Sequence, residues 1–351
     1  MKPFKNLKVI ELSSVLAGPA VGMFFAELGA EVIKIENLKT GGDVTRSWKL
    51  PSEPADAPDS AYFHSVNYGK THYFYDFQLD TDRKKTHQLI QTADIVIANF
   101  KKSSAIALGM DAKTLRAMSP TLIYASIHGF EEDDDQAAFD VVLQAETGFM
   151  YMTGERGRTP VKMPVALIDL LAAHQLKEGV LTALLERVRT GKGSTVTVSL
   201  YESAIASLAN QATNWLMAGK IPQRIGSEHP NIAPYGDVVS LSNGTDIVLA
   251  IGTENQWKML CKVLDIKELW KNERFKNNVL RVQNRVELMS ILRTKMQALE
   301  ADSVLDLLKK NNIPAGAVLN MQQVFENPQA QKMILTDAGG KRVKTTVFKI
   351  S

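Results

Sequence analysis

The chain has 351 residues, enough for one large domain or two of ordinary size. Its apolar share of 45% and charged share of 23% are those of a soluble globular protein, and a net charge of +3 argues against the strong field of a nucleic-acid binder. The single cysteine, Cys261, excludes an intrachain disulfide framework and fits a reducing, cytoplasmic compartment. No apolar run reaches the length of a membrane span, and the first residues lead into an apolar strand without an export leader. The six histidines show no ligand spacing, so no metal site is expected.

Short β-rich runs at 7–12, 31–36, 71–77, 93–99, 122–127 and 195–198 alternate with helical patterns at 20–28, 82–91 and 112–118. This alternation predicts an α/β fold, Rossmann-like, with a mostly parallel sheet covered on both faces. The loop 39–59 holds Pro51, Pro54 and Pro58 and is too long for a simple connection, so it reads as functional or mobile. The acidic run 131–135 reads as a solvated loop in preference to a metal site. An apolar run at 163–168 ends on Asp169 and leads into helical patterns at 170–189 and 199–218. The large domain is expected over 1–219, with a linker at 220–235. A smaller α+β domain then spans 236–320, with strands at 236–240, 246–251 and 315–318 and helices at 254–263, 284–299 and 301–310. The remainder, 321–351, is expected to return to the large domain.

Asp169 is the residue of most interest. A strand-to-helix turn there would set a carboxylate at the carboxyl end of a sheet, where α/β proteins bind ligands. A helix N-cap is the competing role, and the two can coexist. Ala17-Gly18-Pro19 lies between a strand and a helix, either as a tight connection or as a helix start facing a phosphate. Neither the dinucleotide glycine pattern nor a Walker-type loop is present. Arg46, after Gly41-Gly42-Asp43, suits either a phosphate or a salt bridge. Asn99-Phe100-Lys101 follows a buried strand and suits an adenine with its phosphates, or else simply ends the strand.

Together these segments resemble the class III CoA-transferases, the CaiB/BaiF family that includes formyl-CoA transferase, carnitine CoA-transferase and α-methylacyl-CoA racemase. The resemblance spans nearly the whole chain. It runs through Leu16-Ala17-Gly18-Pro19, Gly42-Asp43-Val44-Thr45-Arg46, Ala93 to Phe100, Leu122 to Phe130, Thr153-Gly154-Glu155, Arg189 to Gly193 and Val324 to Gln329. It implies Asp169 as the catalytic residue of a transferase that moves CoA between an acyl-CoA donor and a carboxylic acid acceptor. The intermediates would be an aspartyl anhydride and an aspartyl-CoA thioester. CoA enters as substrate, with no tightly bound cofactor. Val15, Leu16, Ala17 and Gly18 would face the pantetheine end and Asn99, Phe100 and Lys101 the nucleotide, while Lys34, Arg46 and Lys70 offer charge to the phosphates. The family fold is a large and a small domain in an interlocked homodimer.

Several departures from the family pattern bear on the substrate. Thr71-His72 follows Lys70 where a second basic residue is usual. Leu170-Leu171-Ala172 follows Asp169 where relatives carry Thr-Gly. Leu16 replaces the glutamine of formyl-CoA transferase, and no glycine-rich loop stands in 220–245. With Leu16, Leu170 and Phe139, the acyl pocket is expected to be more apolar than oxalate or formate requires. Two alternatives remain. One is a racemase, against which Phe139 argues by standing where racemases carry a proton-exchanging histidine, with Asp140 expected to point away. The other is a non-catalytic acyl-CoA-binding protein.

Overall fold

Short β-branched runs pair into one parallel sheet in the computed structural model, which describes residues 2–131 and 136–349. Positions 132–135 of the acidic run lie outside the described residues. Strands β1 (Lys8–Leu12), β2 (Glu31–Asn37), β3 (Lys70–Tyr75), β4 (Ile95–Ala98), β5 (Ile123–His128) and β6 (Thr195–Ser199) lie in the order β3-β2-β1-β4-β5-β6. Every adjacent pair is parallel. This is the doubly wound order whose direction reverses between β1 and β4, opening a crevice beyond the carboxyl ends of those two strands.

Four helices in this part position the site: α1 (Ala17–Glu27), α2 (Asp80–Gln91), α3 (Asp140–Glu146) and α4 (Leu167–Thr190). Strand periodicity divides the core. Val9, Ile97 and Ala125 face Val21 and Phe25 of α1 and Ala172, Leu176 and Val180 of α4. Their neighbours Ile10, Ile33 and Val96 face the other way, against Ile90 of α2. Each such aliphatic side chain, fully removed from water, stabilises the fold by about 1.5–3 kcal/mol.

Helix α1 lies unusually close to β1. A Cβ at Gly22 would stand 1.8 Å from Glu11 Oε2, and one at Gly18 would stand 2.3 Å from Ser13 Oγ. The reason for the close approach is a buried charge cluster across three strands. Glu11 Oε1 lies 2.8 Å from Lys34 Nζ, Glu11 Oε2 lies 2.7 Å from Lys70 Nζ, and all three side chains are fully buried. Burial pushes the Glu11 carboxyl up, but the two ammonium groups outweigh it and hold it below the usual range. For Lys34, Glu11 and Asp43 likewise outweigh burial and raise it. Lys70, desolvated and beside the charge of Lys34, falls to about 8.

The described residues form two compact units. One takes residues up to 149, 162–220 and those from 332 onward; the other takes 150–161 and 221–331. The second unit has an antiparallel sheet of β7 (Tyr235–Ser240), β8 (Asp246–Ala250) and β9 (Ala315–Ala317). Helices α5 (Glu254–Val263), α6 (Arg285–Met296) and α7 (Ala301–Lys310) accompany it. Its core gathers Trp257, Cys261, Leu249 and Leu292, and burial pushes the Cys261 thiol up to about 12. The segment 150–161 clusters with this unit, although the sequence reads as one continuous large domain over 1–219.

Other differences have local causes. The apolar run 163–168 is not a strand: Met163 and Val165 are exposed, and α4 begins at Leu167. The helical pattern at 199–218 is two helices, Leu200–Ala206 and Ala209–Ala218, parted where Ala209 takes φ 47°. Of the stretch 321–351 expected to return to the large domain, residues up to 331 cluster with the second unit, and those from 332 onward, with the hairpin of β10 (Ile334–Asp337) and β11 (Gly340–Val343), cluster with the first.

Gly22→Ala is expected to destabilise the fold by about 1–3 kcal/mol, because the methyl group overpacks a buried charge cluster with no room to yield. Urea unfolding measures it; an unchanged midpoint would contradict the close-packing account.

Candidate active site

The loops that follow β1 and β4 meet at the point of reversal and are tied to each other. Ser14 N–H donates to Asn99 Oδ1 at 3.1 Å, and Asn99 Nδ2 donates back to Ser14 O at 3.0 Å. Val15 has φ 71°, a conformation rare for a β-branched residue and costing roughly 1–3 kcal/mol. Its N–H donates to Asp43 at 3.1 Å to Oδ2 and 3.3 Å to Oδ1. Asp43 is held in turn by Lys34 Nζ at 3.1 Å and by Thr45, whose hydroxyl donates at 2.8 Å.

A cavity of about 260 Å³ opens beside this loop. Val15, Leu16 and Ala17 line one side, Phe139 and Asp140 another, and His128 and Asp169 close it. A larger cleft of about 770 Å³, lined by the 36–47 turn and by Asp76 to Gln78, shares Ser14, Asn99, Phe100 and Lys101 with the cavity as a common wall.

Asp169 does not cap its helix. The N-cap of α4 is Ala166, which supplies no side-chain bond, and Asp169 lies in the first turn. The cap comes from α3: Asp140 Oδ1 accepts the Ile168 N–H at 2.7 Å. Asp140 Oδ2 accepts from Gln144 Nε2 at 2.6 Å, and Gln144 Oε1 accepts the Met163 N–H at 2.8 Å. The segment entering α4 is therefore pinned at two points, and the Asp169 carboxyl is left unclaimed. Among the described residues no donor or cation reaches it. With the residue only 8% exposed, burial first and the charge of Asp140 second push its pKa up to about 7. The helix N-terminus works the other way, and burial prevails. Tyr62, packed edge-on against Trp48 with centroids 5.1 Å apart, is pushed up to about 12 by burial and by the charges of Asp169, Asp140 and Asp43.

Several expectations from the sequence need correction. Gly18 does not line the cavity; its missing side chain makes room for Ser13. Lys34 and Lys70 do not present charge to the cleft, because both ammonium groups are buried against Glu11. Arg46 borders the larger cleft, but its guanidinium forks onto Glu36, at 2.6 and 2.8 Å, and pairs with Asp59. It also lies 3.8 Å above the Phe63 ring. Asn99 uses its amide on Ser14. Asp140, expected to point away, begins a helix and faces the cavity. Lys39 was missed: it borders the larger cleft with its side chain 54% exposed, 3.4 Å from Asp76. Ser14 and His128 were missed too. Nothing in their local sequence sets them apart; the strand order brings them to the cavity.

The buried, unpaired carboxylate gives a pH-dependent test. The folded state binds the Asp169 proton more tightly than the unfolded chain does. The penalty for ionising it is absent well below pH 4, grows up to about pH 7 and then levels off. Asp169→Asn is expected to stabilise the fold by up to about 3 kcal/mol at pH 8 and by almost nothing at pH 3.5. Chemical denaturation at the two pH values measures the difference; equal effects would contradict the burial account.

Comparison with known proteins identifies the family. The model of "CoA-transferase family III" matches residues 4–347. A succinate–glutarate CoA-transferase of Agrobacterium fabrum is 37% identical over 335 residues, covering 94% of this chain and 83% of the relative. The human succinyl-CoA:glutarate CoA-transferase is 32% identical, covering 94% and 74%. An acetyl-CoA:oxalate CoA-transferase of Acetobacter aceti is 32% identical, covering 99% and 89%. Among solved structures, a CaiB/BaiF family protein from Brucella suis aligns with TM-score 0.87 at 37% identity, covering 99% of this chain and 93% of that one. Among the described residues no helix is long and apolar enough to cross a membrane. With a matching family model over nearly its full length and relatives that are themselves CoA-transferases, this chain belongs to CoA-transferase family III and is a class III CoA-transferase.

Proposed function

We propose that the chain moves CoA between an acyl-CoA donor and a carboxylic acid acceptor through covalent intermediates on Asp169. The observation that carries this reading is the Asp169 carboxyl, desolvated and without a donor on the wall of a cavity of about 260 Å³. A carboxylate attacks a thioester more readily when it is ionised and stripped of hydrogen bonds. An Asp169 oxygen bonds to the thioester carbon, the carbon–sulfur bond breaks, and CoA leaves as thiolate, giving a mixed anhydride. The thiolate then attacks the aspartyl carbonyl, releasing the first carboxylate and leaving an aspartyl-CoA thioester. The acceptor carboxylate attacks that thioester, and the exchange runs in reverse to release the new acyl-CoA. The N–H groups of Leu16 and Ala17 at the start of α1 are suited to receive the oxyanion of each tetrahedral intermediate. The 770 Å³ cleft takes the nucleotide, with Lys39 and Lys101 at its rim and Phe100 on its wall.

The acceptor class is inferred from relatives named for succinate, glutarate and mesaconate, which points to a short dicarboxylic acid. Leu16 and Phe139 on the cavity wall suit its methylene carbons better than they suit oxalate. Against a racemase, Phe139 stands where racemases carry their proton-exchanging histidine, and Asp140 is a poor proton carrier because both its oxygens already accept hydrogen bonds. A homodimer belongs to this reading: Leu185, Val188, Leu216 and Met217 are each at least 74% exposed, apolar side chains that a second copy would cover. The buried lone cysteine fits a reducing cytoplasm.

Asp169→Asn is expected to abolish CoA exchange while CoA affinity in titration calorimetry changes little, since the side chain acts on bond-making and not on nucleotide recognition. Retained turnover would overturn the reading. Activity is expected to fall as pH drops through about 7, where Asp169 takes up a proton. Asp140→Asn removes the neighbouring negative charge, so the acid limb of the kcat/KM profile should move to lower pH. A limb that stays put would show that Asp140 does not act on the nucleophile.

A further inference from the structure

Two side chains outside the reacting pair hold the loop that faces Asp169, and one of them holds it in a conformation its own residue resists. Val15 is β-branched yet sits at φ 71°. Its N–H is taken by the buried Asp43 carboxylate, which is fixed by Lys34 at 3.1 Å and by the Thr45 hydroxyl at 2.8 Å. Lys34 is anchored in turn by Glu11 on β1 and by the Ser13 carbonyl at 2.6 Å. On the other side Asn99 grips Ser14 through both ends of its amide. Immediately after this clamped pair the chain enters α1, whose N-cap Leu16 supplies no side-chain bond. Among the described residues no acceptor takes the N–H groups of Leu16 and Ala17, and both residues line the cavity that holds Asp169.

We infer that Asp43 is a positioning residue for acyl transfer: it holds the Val15 peptide in the left-handed conformation that sets the first N–H groups of α1 opposite Asp169. The inference rests on the covalent reading of Asp169 and goes beyond it by naming what aims the donors. The physical argument is that a strained peptide persists only where its surroundings over-determine it. Here the surroundings are a carboxylate whose ion pair and hydroxyl partner are both buried. Without the clamp, Val15 would return to the ordinary extended region and rotate the next peptides with it. Donors displaced by a fraction of an ångström no longer meet the oxyanion, although the nucleotide cleft remains as it was.

The test uses the full chain. Wild type is first shown to form an acyl adduct on Asp169 with an acyl-CoA; absence of that adduct refutes the covalent reading itself. Asp43→Asn keeps the side-chain shape but removes the charge that Lys34 and the Val15 N–H share. It is expected to lower kcat about a hundred-fold while KM for acyl-CoA and CoA affinity stay within about three-fold. Adding Val15→Asn is expected to restore part of the lost kcat, because asparagine settles in the left-handed region on its own. Thr45→Val removes only the hydroxyl donor to Asp43, leaves the ion pair intact and suits a buried position. It is expected to move kcat the same way by about ten-fold, and it serves alone if Asp43→Asn does not fold. Unchanged kcat in the folded variants overturns the proposal, as does a loss carried wholly by KM and CoA affinity. Either result alongside a normal wild-type adduct refutes the clamp alone.

Discussion

A carboxylate taken out of water with no donor to meet it is held at high free energy as an anion, and that is the condition of Asp169. A proton or an electrophilic carbon relieves it, and the site is arranged so that neither a cation nor a backbone N–H does so first. At the helix start, the Ile168 N–H is taken by Asp140 from a different helix, not by the first-turn carboxylate. The same Asp140 raises the energy of ionised Asp169 through its charge. One side chain thus both leaves the Asp169 carboxylate unclaimed and makes it more basic, which suits the nucleophilic role proposed for it.

The contrast with the other buried charges is informative. Glu11 is buried more completely than Asp169, yet its carboxyl is held low because two ammonium groups surround it. Burial alone does not make a reactive group; burial without a partner does. Glu11, Lys34 and Lys70 instead form a fixed electrostatic joint across three strands, and Gly22 lets α1 lie on top of it. That joint extends through Asp43 to Val15, so the loop that lines the Asp169 cavity is anchored in a buried charge cluster.

The sheet was legible in the sequence because its strands are short, apolar and bounded by polar turns. All six parallel strands fall within a residue or two of where the pattern puts them. The run 163–168 misled because apolar composition cannot distinguish a strand from a bent lead-in and the first residues of a helix, pinned by two side-chain bonds from a distant helix. Asp169 was singled out by its place in the family pattern, and the structure puts it, buried, on the wall of the cavity. The roles of Lys34, Lys70 and Arg46 were not legible, because a cation beside a phosphate and a cation inside an ion pair look alike in one dimension. Their carboxylate partners Glu11, Glu36 and Asp59 lie 10 to 59 residues away along the chain. Asp140 was misjudged for a related reason: as an extended residue it would face away from Phe139's side, whereas as the first residue of α3 it turns toward Ile168.

The account stands on an acyl group passing from sulfur to one oxygen of Asp169. The most direct measurement is peptide mass spectrometry of the protein incubated with an acyl-CoA and quenched with hydroxylamine. The account predicts a hydroxamate on Asp169 and on no other acidic residue, and none without acyl-CoA. CoA exchange at full rate with Asp169 unmodified would contradict it.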